Sequence, residues 1–156
     1  MKLAIVDDNK LEQELIFNTL RTYEHERNIS LDISSYSDGN SFLNTYVPGD
    51  FDLIFMDIYL NELNGIDIVR KIRQMDSKVM IVFLTTSKEY IFEAAPFHFF
   101  DYILKPFEST QIFHVLDDAF SASFLSRKLN YLLNIVLLMF IFHYQRFNIF
   151  TQIIMR

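Results

Sequence analysis

Apolar residues fall in short blocks along the first two thirds of the chain, and most blocks end on polar or charged side chains. Lys2–Val6 (KLAIV) runs into Asp7-Asp8-Asn9, and Phe51–Met56 (FDLIFM) into Asp57. Val79–Leu84 (VMIVFL) runs into Thr85-Thr86-Ser87, and Asp101–Leu104 (DYIL) into Lys105-Pro106. Short continuous runs rich in β-branched and aromatic residues mark strands buried on both faces. Ile29–Tyr36 reads differently: Ile29, Leu31 and Ile33 alternate with polar residues, the period-two pattern of a half-buried strand.

Between these blocks the period lengthens to that of a helix. Leu11, Leu15, Ile16, Thr19 and Leu20 predict a first helix, with Glu12 and Glu14 near its start, where the helix dipole favours acids. Ser37-Asp38-Gly39 turns into a second helix carrying Phe42, Leu43 and Tyr46, closed by Pro48-Gly49-Asp50. Ile66, Ile68, Val69 and Ile72 predict a third helix after Gly65, and a less regular fourth runs from about Tyr90 to Ala95, disturbed at its end by Pro96. Ser109 caps a last helix through Ile112, Val115, Leu116 and Phe120. Five strand–helix alternations predict an α/β fold, a doubly wound five-stranded parallel sheet with helices on both faces. Ligands in such folds bind beyond the carboxyl ends of the strands. Asp7, Asp8, Asp57, Thr85 and Lys105 all fall there.

A hydrophobic content of 51% beside 22% charged residues supplies a real core and excludes a disordered chain. With no cysteine, neither disulfides nor thiolate metal sites can form. The apolar run Leu3–Val6 is too short for a signal peptide and ends in two aspartates, so a cytoplasmic location is expected. Charge divides the chain. All 20 acidic residues lie between Asp7 and Asp118, so residues 1–121 carry a net charge of −10 and residues 122–156 carry +4. A domain over 1–121 and a distinct tail over 122–156 are therefore expected. The acidic domain would repel DNA phosphates, so no direct nucleic-acid binding is expected.

Three carboxylates at one sheet edge repel one another unless a cation lies between them. Oxygen donors without His or Cys select a hard ion, and few protein ligands favour Mg2+. A nearby lysine and hydroxyl are what a transferred phosphoryl group requires: positive charge and a hydrogen-bond donor for its oxygens. An aspartate in line with the phosphorus can serve as nucleophile. Taken singly, Thr85 reads as a strand-end hydroxyl and Lys105 as a solvated charge; only their joint placement carries the functional reading. His25, His98, His114 and His143 show no metal-ligand spacing and read as structural or surface residues.

Four segments in order, IVDDN, IFMDIYL, FLTTS and DYILKPF, resemble the receiver domains of two-component response regulators over residues 1 to about 121. FLTTSKEYIFEAA followed by FDYILKPF resembles in particular the receivers of LytTR-family regulators. The resemblance implies a (βα)5 flavodoxin-like fold and phosphorylation of Asp57 by a sensor histidine kinase. It further implies Mg2+ held by Asp7, Asp8, Asp57 and the Tyr59 backbone carbonyl. Thr85 and Lys105 would contact the phosphoryl group, and the ring of Tyr102 would follow the switch. Gly65 and Pro106 would set loop geometry, Pro106 through a cis Lys-Pro bond. The protein would be a signalling domain, not an enzyme beyond autophosphorylation and autodephosphorylation at Asp57. The switch would act on a partner surface or on a homodimer through the face of helix 4, strand 5 and helix 5. The Phe97, Phe99, Phe100 cluster would serve packing, or that face. Two departures bear on loop geometry: Asn61 stands where a proline is usual, and His98 where a glycine is common.

Other classes compete. Phosphohydrolases of the haloacid dehalogenase type also use a strand-end carboxylate and Mg2+. They place two acids two residues apart on the first strand, however, whereas Asp7 and Asp8 are adjacent. A stand-alone receiver that sequesters a kinase or binds a partner is the other alternative. The tail turns on Leu129–Gln145, 17 residues without a charge, flanked by Arg127-Lys128 and Arg146. It reads as a helical extension, as a membrane-associated segment, or as the remnant of a truncated or frameshifted LytTR output region. Leu129–Gln145 is borderline in length for a span and is weakened by Asn130 and Asn134; the last reading is favoured because the tail is rich in Ile, Phe, Leu, Asn and Tyr and carries no acid.

Overall fold

The structure, a computed structural model, describes residues 1–61 and 63–154, with side chains described as far as Ile141. It falls into two units, Met1–Ala119 and Phe120–Arg156. In chain order the elements are β1 (Lys2–Val6), α1 (Lys10–Arg27), β2 (Asp32–Tyr36), α2 (Gly39–Thr45) and β3 (Leu53–Asp57). They continue with α3 (Gly65–Met75), β4 (Met80–Thr85), α4 (Ile91–Ala94) and a 3-10 turn (Ala95–Phe97). β5 (Asp101–Leu104) and α5 (Ser109–Ile154) complete the chain.

All strand pairs are parallel, in the order β2-β1-β3-β4-β5. This is the doubly wound α/β fold, and a C-terminal helix is present. Strands β1, β3 and β4 form its middle, and their runs are buried almost throughout, from Leu3–Val6 through Leu53–Met56 to Ile81–Leu84. Phe42, Ile68, Val69 and Ile72 join them in one core cluster with Ile54, Met56 and Phe83. Burying such side chains stabilises the fold by about 1.5–3 kcal/mol each, before chain entropy is counted.

The edge strand and the first helix differ from expectation. β2 begins at Asp32, not at Ile29, because α1 ends on Asn28 in a left-handed conformation and Ile29 donates its N–H back to the Glu24 carbonyl. On α1 the buried residues are Ile16, Thr19, Leu20 and Tyr23, whereas Leu11 and Leu15 are 75% and 52% exposed. Thr19 escapes the cost of burial by donating to the Leu15 carbonyl. At α4 the chain forms only one helical turn before Pro96 tightens it into the 3-10 segment, which ends on His98 with φ 51°. Left-handed backbone favours glycine, which explains why a glycine is common at that position.

In the second unit the helix is apolar and its described side chains face solvent, among them Phe124, Leu129, Leu132, Val136 and Phe140. Ser109–Ile141 contains a stretch long and apolar enough to cross a membrane by length and composition alone. His143 lies beyond the described side chains.

At the opposite end of the sheet from the charged strand ends, buried Asp76 accepts from the Tyr46 hydroxyl (2.9 Å) and from the backbone N–H groups of Gly49, Lys78 and Val79. Replacing it with alanine leaves four donors unpaired, and each orphaned donor costs about 1–3 kcal/mol if it stays dry. Asp76→Ala is expected to lower urea-unfolding stability by roughly 2–4 kcal/mol, allowing for some rehydration.

Candidate functional site

Parallel register assembles the site. Val6 pairs with Met56, Asp57 with Leu84, and Thr85 with Leu104, so β1, β3, β4 and β5 release their polar residues at one edge. Asp7 extends β1 by donating its N–H to the Tyr36 carbonyl (3.1 Å), and Lys105 extends β5 by donating to the Thr85 carbonyl (2.8 Å). The Lys105-Pro106 peptide is cis.

There the Lys105 ammonium lies 2.8 Å from Asp7 Oδ2 and 3.3 Å from Asp57 Oδ2, and it also pairs with Glu12 Oε2. The lysine side chain is only 8% exposed and that of Asp7 1%. Burial pushes the Asp57 carboxyl up to about 6; Lys105 pulls against this and Asp7 adds to it. Burial likewise raises Asp7 although Lys105 opposes it. Burial works against the charged form of Lys105, but Asp7, Glu12 and Asp57 outweigh it and the ammonium is held above its ordinary range. The cluster is thus short of positive charge.

The loop after β3 shapes the near wall. Gly65 donates to the Ile58 carbonyl (2.9 Å), and its backbone comes so close that a Cβ there would sit 2.0 Å from the Asp57 carbonyl oxygen. Only glycine fits. Tyr59 directs its N–H toward Asp57 Oδ1 (3.3 Å), and its ring meets Tyr90 edge-on. Asp8 does not join the ammonium cluster; its Oδ2 accepts the N–H of Asn61 (3.0 Å). A proline at 61 would have no N–H to give, so this departure from the usual pattern adds a tie between the loop and an acid of the site.

Asp8, Asn9, Glu12, Asp57, Tyr59, Thr86 and Lys105 line an open cleft of about 250 Å³. Thr85 is fully buried behind it, its hydroxyl accepting weakly from the Ser87 N–H (3.4 Å), so the residue bordering the cleft is Thr86. Tyr102 donates its hydroxyl to the Ser87 carbonyl (2.6 Å) and packs its ring near Phe83 and Phe99. Thr85 and Tyr102 are therefore joined through one loop, Thr85–Ser87. Phe97 and Phe99 pack against the core, as packing residues would.

Asp7, Glu12 and Asp57 present carboxylate oxygens within 4.8 Å of one another. Oxygen-only donors at that spacing, with a surplus of negative charge, fit a hard divalent cation. Glu12 is the residue that sequence reasoning missed: it reads as an acid serving the helix dipole. Its position three residues after the N-cap Asn9, one turn from the Asp7-Asp8 pair, is the signal that would have found it.

A parallel sheet of this order, with acids and a lysine at its carboxyl edge, has the flavodoxin-like architecture. The model of the response regulator receiver domain matches residues 3–117, and the chain belongs to that family. Protein MrkE of Klebsiella pneumoniae is 34% identical over 116 residues, covering 74% of this chain and 42% of that protein. Sensory transduction protein LytR of Staphylococcus epidermidis is 34% identical over 112 residues, covering 72% and 43%. The crystal structure of the response regulatory domain of MrkE superposes with a TM-score of 0.67 at 33% identity, covering 78% of this chain and 97% of that one. The match spans less than half the length of the curated relatives. Relatives named LytR and LytT support a receiver of the LytTR kind. Receiver domains are signalling domains of two-component systems, phosphorylated by sensor histidine kinases, and they bind Mg2+ at an acidic pocket.

The raised Asp57 carboxyl makes stability depend on pH. Its folded value near 6 lies above the unfolded value near 4, so it contributes stability fully present below about pH 4 and lost as pH rises through 6. In metal-free buffer Asp57→Asn removes the cost of the buried charge. It is expected to raise stability at pH 7 by about 1–3 kcal/mol, an effect that shrinks as pH falls from 6 toward 4. Urea denaturation across that range, with a chelator present, measures it.

Proposed function

We propose that this chain is a phosphoacceptor switch in which Asp57 receives a phosphoryl group from the phosphohistidine of a sensor histidine kinase. The observation that carries the reading is the Asp57 carboxylate itself. It borders an open cleft, 3.3 Å from a lysine ammonium and beside a second buried acid. An Asp57 oxygen attacks phosphorus, the bond from phosphorus to the histidine nitrogen breaks, and the imidazole leaves. Lys105 stabilises charge on the phosphoryl oxygens as it transfers. Asp7, Asp8, Asp57 and the Tyr59 carbonyl would hold Mg2+, which would supply further positive charge to the phosphoryl oxygens. Gly65 keeps the loop backbone close enough to fix the Asp57 peptide.

After transfer, the Thr85 hydroxyl turns to the phosphoryl group and the loop Thr85–Ser87 moves with it. Tyr102 is hydrogen-bonded to that loop, so its ring follows and the surface around α4 and β5 changes. Phe92, 89% exposed on α4, lies on that surface, which would meet a partner or a second copy. The reading that fits the LytR- and LytT-named relatives is the receiver of a LytTR-type transcriptional regulator working in the cytoplasm, with residues 122–156 following it as a separate apolar segment.

Incubation with acetyl phosphate and Mg2+ is expected to add one phosphoryl group to the wild-type chain by intact-mass analysis. Asp57→Asn should abolish the gain, and a chelator should suppress it. Labelling of Asp57→Asn to the wild-type level would defeat the assignment.

A further inference from the structure

Glu12 differs from the other acids of the cleft in its origin: it comes from the first turn of α1, whereas Asp7, Asp8 and Asp57 lie at strand ends. A glutamate three residues after an N-cap ordinarily folds back onto the N-cap N–H. Here that N–H, of Asn9, is taken by Asp7 Oδ1 at 2.8 Å. Glu12 is released to reach Lys105. Gln13 pins the same turn to the sheet edge through its amide, bonded to the carbonyls of Asp7 and Tyr36.

An ammonium has three protons to give. Those of Lys105 face three carboxylates, Asp7, Asp57 and Glu12. A phosphoryl group on Asp57 needs one of them, and the three acids are unequal in what they lose. Asp7 is 1% exposed and would be left as a buried unpaired charge, whereas the Glu12 side chain is 33% exposed and can turn into water.

We propose that Glu12 is a positioning residue that holds the place of the phosphoryl group. It occupies the Lys105 proton that a phosphoryl oxygen takes over, and it is displaced when Asp57 is phosphorylated. The proposal rests on the reading of Asp57 as acceptor. Its charge then acts with opposite sign in the two halves of the cycle. Glu12 favours a divalent cation in the resting cleft and opposes the anionic phosphoryl group, both as a rival for Lys105 and by repulsion.

The test compares wild type, Glu12→Gln and Glu12→Asp in the full chain. Titration calorimetry with Mg2+ alone is expected to show roughly threefold to tenfold weaker binding in Glu12→Gln. With Mg2+ saturating, acetyl phosphate transfers its phosphoryl group to an Asp57 oxygen with loss of acetate. The acetyl phosphate concentration for half-modification should fall, and the lifetime of the modified form should lengthen, each roughly threefold to tenfold. Glu12→Asp, which keeps the charge, should bind Mg2+ close to wild type. Local damage would weaken both binding events together, so opposite changes support the proposal. Parallel changes, or none, overturn it while the acceptor reading stands. A wild-type chain that is never modified overturns both.

Discussion

Everything at the functional edge depends on one ammonium. Lys105 meets carboxylates from β1, α1 and β3 in a place where its own side chain is 8% exposed. Charges that dry are held only by mutual pairing, and three acids to one base leave a deficit of positive charge. Burial raises the carboxyls of Asp7 and Asp57, and with one ammonium facing three acids the charge deficit remains. It is also what makes the cleft receptive to a divalent cation.

The rest of the fold can be understood as support for this buried charge cluster. Apolar strands β1, β3 and β4 form a rigid middle whose register brings the ends of three elements together. Gly65 lets the following loop pass against the Asp57 carbonyl, and Asn61 ties that loop to Asp8. At the far end of the sheet Asp76 satisfies four donors, so that end is closed while the site edge stays open. The residues that would respond to phosphorylation, Thr85 and Tyr102, are joined through one short loop, Thr85–Ser87.

Much of this was legible in the residue pattern. Buried parallel strands are unbroken apolar runs, so their ends, and the acids on them, could be located without coordinates. The failures have physical causes. Leu11 and Leu15 sit at helical spacing yet are exposed, whereas Tyr23, further along the same stripe, packs inward and donates its hydroxyl to Asp117, a contact that a hydrophobicity pattern does not register. The start of β2 was misplaced because the left-handed cap at Asn28 holds Ile29 to the end of α1. Glu12 was read only as an acid serving the helix dipole, although it stands one helical turn from the Asp7-Asp8 pair. Its pairing depends on Asp7 capturing the Asn9 N–H, a contact no spacing rule predicts.

The central claim is that the chemistry takes place on one particular carboxylate. Borohydride reduction of the acyl phosphate, after treatment with acetyl phosphate and Mg2+, converts the modified aspartate to homoserine, which peptide mapping locates. The account predicts homoserine at position 57 and nowhere else, dependent on Mg2+. Homoserine at position 7 or 8, or an equal yield without the metal, would contradict it.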